Sequence, residues 1–187
     1  MLAASFSMCS FAQYSNAQNN TQTYHETKEA ALKASGLDVY ASKKNDRVIN
    51  AAAKNTDEIK AELADSFAGT WIKYDEHKVA HQVVAIKGGG NLTKISNAPE
   101  NGFLIVDVKY SYQELEATRE KILTLFNKLS NGGEQLIFGI AIDDEKNKLV
   151  IRGYQQNLEF IKSKILISGI EEDIISLGAQ DGPMSLM

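Results

Sequence analysis

Two segments of this chain alternate β-branched and aromatic residues and double back through short polar turns. Nothing else in the sequence constrains the fold as strongly. In the first, "GTWIKY" and "KVAHQVVAIK" flank the turn "DEHK", Asp75 to Lys78; in the second, "QLIFGIAI" and "KLVIRGY" flank "DDEKN", Asp143 to Asn147. Period-two patterning broken by a turn of this length marks a β-hairpin. A further extended run, "FLIVDVKY" from Phe103 to Tyr110, lies between them, with Leu104, Val106 and Val108 on its cleaner apolar face.

Helical patterning fills the intervals. From Glu26, "ETKEAALKASG" is rich in helix formers and stops at Gly36. A second helix is predicted from about Asp46 to Asp65. Val48, Ile49, Ala52, Ile59 and Leu63 form one stripe, and Asn55-Thr56-Asp57 is a candidate restart with its own cap. The clearest helix is "SYQELEATREKILTLFNKLSNGG": Ser111 and Glu114 make a capping box, and Leu115, Ile122, Leu125, Phe126 and Leu129 line one side. Asn131-Gly132-Gly133 reads as its stop. Asn157 is placed to cap a last helix, "LEFIKSKILISG", and "DIISLGA" reads as a final strand. No internal repeat stands out.

This order predicts an α+β protein of two small units, each a three-stranded antiparallel sheet packed with helices. The first unit spans 26–110, with strands near Thr70, Val79 and Phe103. The second is an αββαβ unit with a tail, spanning 111–187. The alternative for the C-terminal half is a ferredoxin-like βαββαβ unit from Phe103 to Ala179. Patterning leaves open which sheet Phe103 to Tyr110 joins.

A chain of 187 residues, 43% of them apolar, is long enough to bury a core without disulfides or metals. The net charge of −4 gives no support for a nucleic-acid partner, whose phosphates call for a basic face. No apolar run approaches the roughly 20 residues of a membrane span. The opening "MLAASFSMCSFAQ" ends in Ser10-Phe11-Ala12, a small-x-small pattern suited to signal peptidase, but it lacks a basic start and its apolar core is short. We read it as the remnant of a signal peptide, which would direct the chain to the periplasm or outside the cell; the other reading is an unstructured N-terminus. Residues 1–25 are then this remnant followed by a polar leader rich in Asn and Gln. Cys9 is the only cysteine, so cleavage after Ala12 would leave none for disulfides, redox motifs or thiolate-held zinc.

No catalytic constellation emerges. His77 and His81 have a spacing that suits a metal on a helix, but on extended chain, at about 3.3 Å per residue, they lie about 13 Å apart. There is no HExxH motif, and His25 stands alone in the leader. The triple glycine Gly88–Gly90 lacks the Lys-Ser/Thr of a phosphate loop and reads as a turn. No GxSxG elbow is present. Asp143, Asp144 and Glu145 lack calcium-loop spacing and read as a solvated hairpin tip. No metal, no cofactor and no catalytic residue is expected in this chain. Binding remains, through sheet edges such as Lys148 to Tyr154.

The ordered segments carry a resemblance. Ala68-Gly69-Thr70-Trp71-Ile72, the Val-rich return from Val79 to Ile86, Val108-Lys109-Tyr110-Ser111 stepping into a helix with Leu115-Glu116, and the hairpin of Ile142-Asp143, Asn147 and Leu149 to Ile151 follow in order. Together they resemble the pro-region of α-lytic protease and the streptogrisins, secreted bacterial serine proteases of the chymotrypsin class. The likeness runs from about Glu26 to Gly182. In that family a protease domain with His, Asp and Ser motifs follows the pro-region, and this sequence carries none of these motifs. The chain is therefore expected to be a pro-region, a piece of a serine endopeptidase precursor, or a stand-alone pro-like protein; an unrelated small α+β binding module is the remaining alternative.

The resemblance implies a folding chaperone and inhibitor whose partner is a cognate secreted serine protease, in cis or in trans, with neither nucleic acid nor membrane as partner. A catalyst of folding must bind the folding transition state, which requires no titrating residue of its own. The resemblance places partner contacts on the second hairpin and the tail: Lys148, Val150, Arg152, Tyr154, Leu177, Gly178, Ala179 and Met187.

Overall fold

The computed structural model describes residues 28–90, 92, 95–129 and 136–180. Helix α1 (Lys28–Ala34) ends where Gly36 takes φ +69° and Leu37 N–H returns to Leu32 O, so Gly36 is the stop the sequence predicts. This helix belongs to a separate compact part ending at Asp38. The expected signal segment and leader, with Cys9 and His25, lie outside the described residues, as do the Asn131–Gly133 stop and Met187.

From Val39 onward the protein is α+β, with two separate three-stranded sheets. Helix α2 (Lys43–Leu63) is followed by strands β1 (Phe67–Tyr74), β2 (Ala80–Lys87) and β3 (Phe103–Val108) in the order β1-β2-β3. Helix α3 (Tyr112–Leu129) is followed by β4 (Ile137–Asp143), β5 (Lys148–Tyr154), helix α4 (Leu158–Ile167) and β6 (Ile175–Gln180), in the order β4-β5-β6. We call these the first and second modules.

The sheets are mixed rather than antiparallel throughout. Each hairpin is antiparallel, but β3 runs parallel to β2 and β6 parallel to β5. The cause is the connection: residues 88–102 in one module and α4 in the other carry the chain back to the starting end, and a crossover of that length delivers a parallel strand. The ferredoxin-like alternative is also overturned. It needs β3 in the second sheet, and β3 pairs with β2 in the first, from Gln82↔Phe103 to Lys87↔Val108.

The modules repeat each other. In each, a helix leads into a hairpin whose first strand bulges one residue before a glycine, between Phe67 and Gly69 and between Ile137 and Gly139. Val48, Asn55 and Ile59 are buried on α2, spaced seven and then four residues apart; Leu115, Ile122 and Phe126 are buried on α3 at the same spacing. These helix faces close two cores. One gathers Ile59, Phe67, Val84 and Ile86. The other gathers α3, α4 and sheet residues including Leu149, Ile151, Ile161 and Ile165. Each such fully buried side chain contributes roughly 1.5–3 kcal/mol.

Several predicted details shift. Helix α2 starts earlier than Asp46: Ser42 caps it by accepting from Asn45 N–H. It runs unbroken through Asn55, because that side chain is consumed in the core rather than in a cap. Ile49 is exposed and leaves the expected stripe, and Leu129 at the end of α3 is exposed too. The Ser111–Glu114 capping box forms in both directions. Asn157 makes no side-chain cap.

Candidate functional site

The open face of the second sheet is the candidate site. Along β5, Leu149, Ile151 and Gly153 are buried against the helices, while Lys148, Val150, Arg152 and Tyr154 face away. The register extends these outward residues into rows. Gly139, Arg152 and Gly178 form one, Ala141, Val150 and Ser176 a second, and Asp143 with Lys148 a third. Phe138 stands edge-on to Tyr154 at one end, with ring centroids 4.4 Å apart. This face therefore carries the small residues Gly139, Ala141, Ser176 and Gly178 beside Lys148, Val150 and the exposed Arg152, with the Phe138–Tyr154 pair at one end. A Cβ at Gly139 would meet nothing within 4 Å, and one at Gly178 would meet only Arg152 Cγ.

Five of the expected contact residues therefore share this face: Lys148, Val150, Arg152, Tyr154 and Gly178. Leu177 and Ala179 alternate to the helix side, where Leu177 packs against the core. One expectation is corrected outright. The strand Lys148–Tyr154 is not a sheet edge but the centre, hydrogen-bonded to β4 on one side and β6 on the other. Its main chain is consumed, so strand addition falls to β4 or β6. The sequence places β5 last in its hairpin, and only the parallel return of β6 covers it.

The acidic turn before β5 is not a solvated tip either. Asp143 caps the turn through Lys146 N–H at 3.0 Å, and the Lys146 ammonium holds its carboxyl below the ordinary range. Asp144 turns inward onto the first module and accepts from Thr70 N–H at 3.3 Å. Burial pushes its carboxyl up, against the pull of that amide and of Lys60. Asn147, at φ +52°, completes the joint: its amide accepts from Tyr110 N–H at 2.9 Å and donates to Tyr110 O at 2.8 Å. On the far side Lys109 and the Tyr110 hydroxyl bind both Glu171 and Asp173. Sequence reasoning missed this joint. The available signal was a glycine inside each first strand, which marks a bulge or a close approach.

The histidines have structural partners. His81 Nε2 lies 3.2 Å from Asp75 Oδ2, and its Nδ1 lies 3.0 Å from Asn101 Nδ2. Since the Asn101 amide also donates to Ala80 O, Nδ1 accepts and the ring proton sits on Nε2. His77 lies beside Glu76 at the exposed tip. Gly88–Gly90 all take positive φ, and Gly89 N–H bonds Asp107, as a turn requires. Trp71 faces away from α2, its indole N–H out of solvent and without an acceptor among the described residues. Among those residues no group of three His, Cys, Asp or Glu side chains gathers as a metal site would need, and no helix is long and apolar enough to cross a membrane.

No family model matches the chain, and no curated protein matches it.

Proposed function

We propose that the protein is a non-catalytic, pro-region-type binding module that acts as folding chaperone and inhibitor of a secreted chymotrypsin-class serine protease. The observation that carries the binding part is the second sheet. Among the described residues it has one helix-free face, with Gly139, Ala141, Ser176 and Gly178 around Arg152, and two strands, β4 and β6, each paired on one side only. Such a sheet recognises a partner through main-chain hydrogen bonds and shape rather than through a titrating centre. The protease as partner, and the periplasm or exterior as location, rest on the resemblance of the segments quoted above.

The test uses purified α-lytic protease and a streptogrisin. Peptide hydrolysis is followed with and without the chain, and the yield of active enzyme is measured after dilution of each protease from denaturant. Slowed hydrolysis or a raised yield with either protease supports the reading. Unchanged rates and yields with both, at large molar excess of the chain, overturn it.

A further inference from the structure

A groove of about 410 Å³ runs between α2 and residues 96–101, the segment that leads into β3. Three bonds seat that segment on the helix. Asn55 donates to Asn97 O at 3.0 Å, Ser96 N–H donates to Glu58 at 2.9 Å, and Arg47 donates to Glu100 at 3.0 Å. Both walls are therefore held in place. On the helix side the groove is lined by residues three and four apart, which share one face. Its floor is apolar: Val48, 3% exposed, with Ala51 and the buried Pro99.

The charge of the groove runs against that of the chain. The chain carries −4, yet the groove is lined by three cations, Lys44, Arg47 and Lys54, and a single acid, Glu100. Lys44 and Lys54 make no ion pair among the described residues. Arg47 and Glu100 pair with side chains 64% and 68% exposed, so water screens the bond and an outside carboxylate can exchange with it. Glu100 thus shows in place the group that the groove accepts. The spacing of the cations sets the rest of the ligand. Lys54 lies seven residues from Arg47 and ten from Lys44 on α2, about 10 and 15 Å along the axis. An extended peptide advances about 3.3 Å per residue, so two acids three or four residues apart cover that distance. The side chains between them lie over Val48, Ala51 and Pro99, where small apolar groups fit.

We propose that this groove binds an extended acidic peptide. One acid of the peptide takes Arg47 from Glu100, with Lys44 beside it; the second, three or four residues on, meets Lys54; and the small apolar residues between them cover Val48. This goes beyond the protease-partner reading and does not depend on it. The apolar floor between the charges selects a peptide over a polyanion that carries charge at every step, and the acidity of the chain as a whole works against nucleic acid. Two exposed ion pairs over a small apolar contact make a weak complex, with a dissociation constant of about 1 mM for a four-residue peptide.

The experiment is an amide NMR titration of the full chain with the peptide Glu-Ala-Val-Glu, capped at both ends. The amides of Val48, Ala51, Lys54 and Glu100 shift together and saturate, and added salt weakens the binding. Arg47→Glu and Lys54→Glu each lower the affinity about two- to fivefold or more. Glu100→Gln raises it by a similar factor, because the competing carboxylate within the chain is gone. A misfolded variant cannot give that gain, and unchanged thermal unfolding of the two charge reversals shows that they fold. The capped peptides Glu-Glu-Val-Ala, with its acids adjacent, and Lys-Ala-Val-Lys bind more weakly. The proposal is overturned by the absence of shifts at a tenfold excess over the expected dissociation constant, or by binding that neither charge reversal affects. It is overturned equally by a Glu100→Gln variant that binds no better than the parent. Equal affinity for the adjacent-acid peptide or for inorganic phosphate would reduce the groove to a patch of charge, and binding of a sulfated glycan without the peptide would assign it to another ligand; either result sinks the peptide reading.

Discussion

The carboxylate of Asp144 occupies the space in which a side chain on Gly69 would begin: a Cβ there would lie 2.7 Å from Asp144 Cγ. Gly69 also holds φ +145°, which L-residues rarely adopt. Gly69→Ala therefore costs roughly 2–4 kcal/mol, from backbone strain together with displacement of the docked turn. Its counterpart Gly139 has neither constraint, so Gly139→Ala leaves stability within about 0.5 kcal/mol or raises it slightly, because Ala gives up less chain entropy on an exposed strand. Urea midpoints of the two variants check the contrast; equal losses would sink the account of the joint.

Asp144 gives the joint a pH dependence of unusual sign. Burial holds its carboxyl above the ordinary value, so the folded chain binds this proton more tightly than the unfolded chain does. The group favours folding below its unfolded pKa, and that contribution is lost as pH rises through the raised folded value. Asp144→Asn keeps an acceptor for Thr70 N–H and removes the charge. The variant is expected to be more stable than the parent at pH 7 and to show a flatter profile just above the ordinary carboxylate range. Denaturation at a series of pH values decides this, and a variant weaker at neutral pH than at acid pH contradicts it.

Helices, hairpins and turns were legible in the sequence because their signals are local: the Ser111–Glu114 box, Gly36, and the alternation in β1, β4 and β5. The parallel third strands were not, since β3 and β6 carry no mark of the neighbour that a crossover brings them to. The repeat was hidden for a different reason. It preserves positions rather than residues: Asn55 and Gln82 of the first core stand where the second has Ile122 and Leu149, and Ala85 stands where the second has Arg152. The outward face of β5 was readable from period two, whereas its central place in the sheet was not.

That exchange of an amide pair for an apolar pair gives a double-mutant cycle. Asn55 and Gln82, both fully buried, bond reciprocally at 2.9 and 2.8 Å, and Asn55 also donates to Asn97 O. Asn55→Leu or Gln82→Met alone strands the remaining amide in the core and costs about 2–4 kcal/mol. Together they remove both side-chain amides, leave the part-buried Asn97 carbonyl without its donor, and approach the apolar solution of the second module. The double variant is therefore better than additive by about 1–3 kcal/mol. Strict additivity in denaturant titrations would show that the two amides do not depend on each other.

The far side of the joint is expected to respond to acid in the opposite direction to Asp144. The Lys109 ammonium and the Tyr110 hydroxyl hold Asp173 down to about 2, with Lys109 the larger influence. A carboxylate depressed in the folded state adds stability above its unfolded pKa, near the ordinary aspartate value of 3.8, and loses it as pH falls through about 2. Asp173→Asn should remove the acid-induced loss in that window and leave the slope between neutrality and mild acid unchanged. The same substitution has a second readout at Tyr110, whose phenol is raised to about 12, first by burial and then by its bond to Asp173. Without the carboxylate, part of that rise disappears, and phenolate absorbance develops at lower pH than in the parent chain. If the phenol titrates unchanged while the acid window flattens, Asp173 acts through Lys109 alone and the Tyr110 hydrogen bond contributes nothing to the joint.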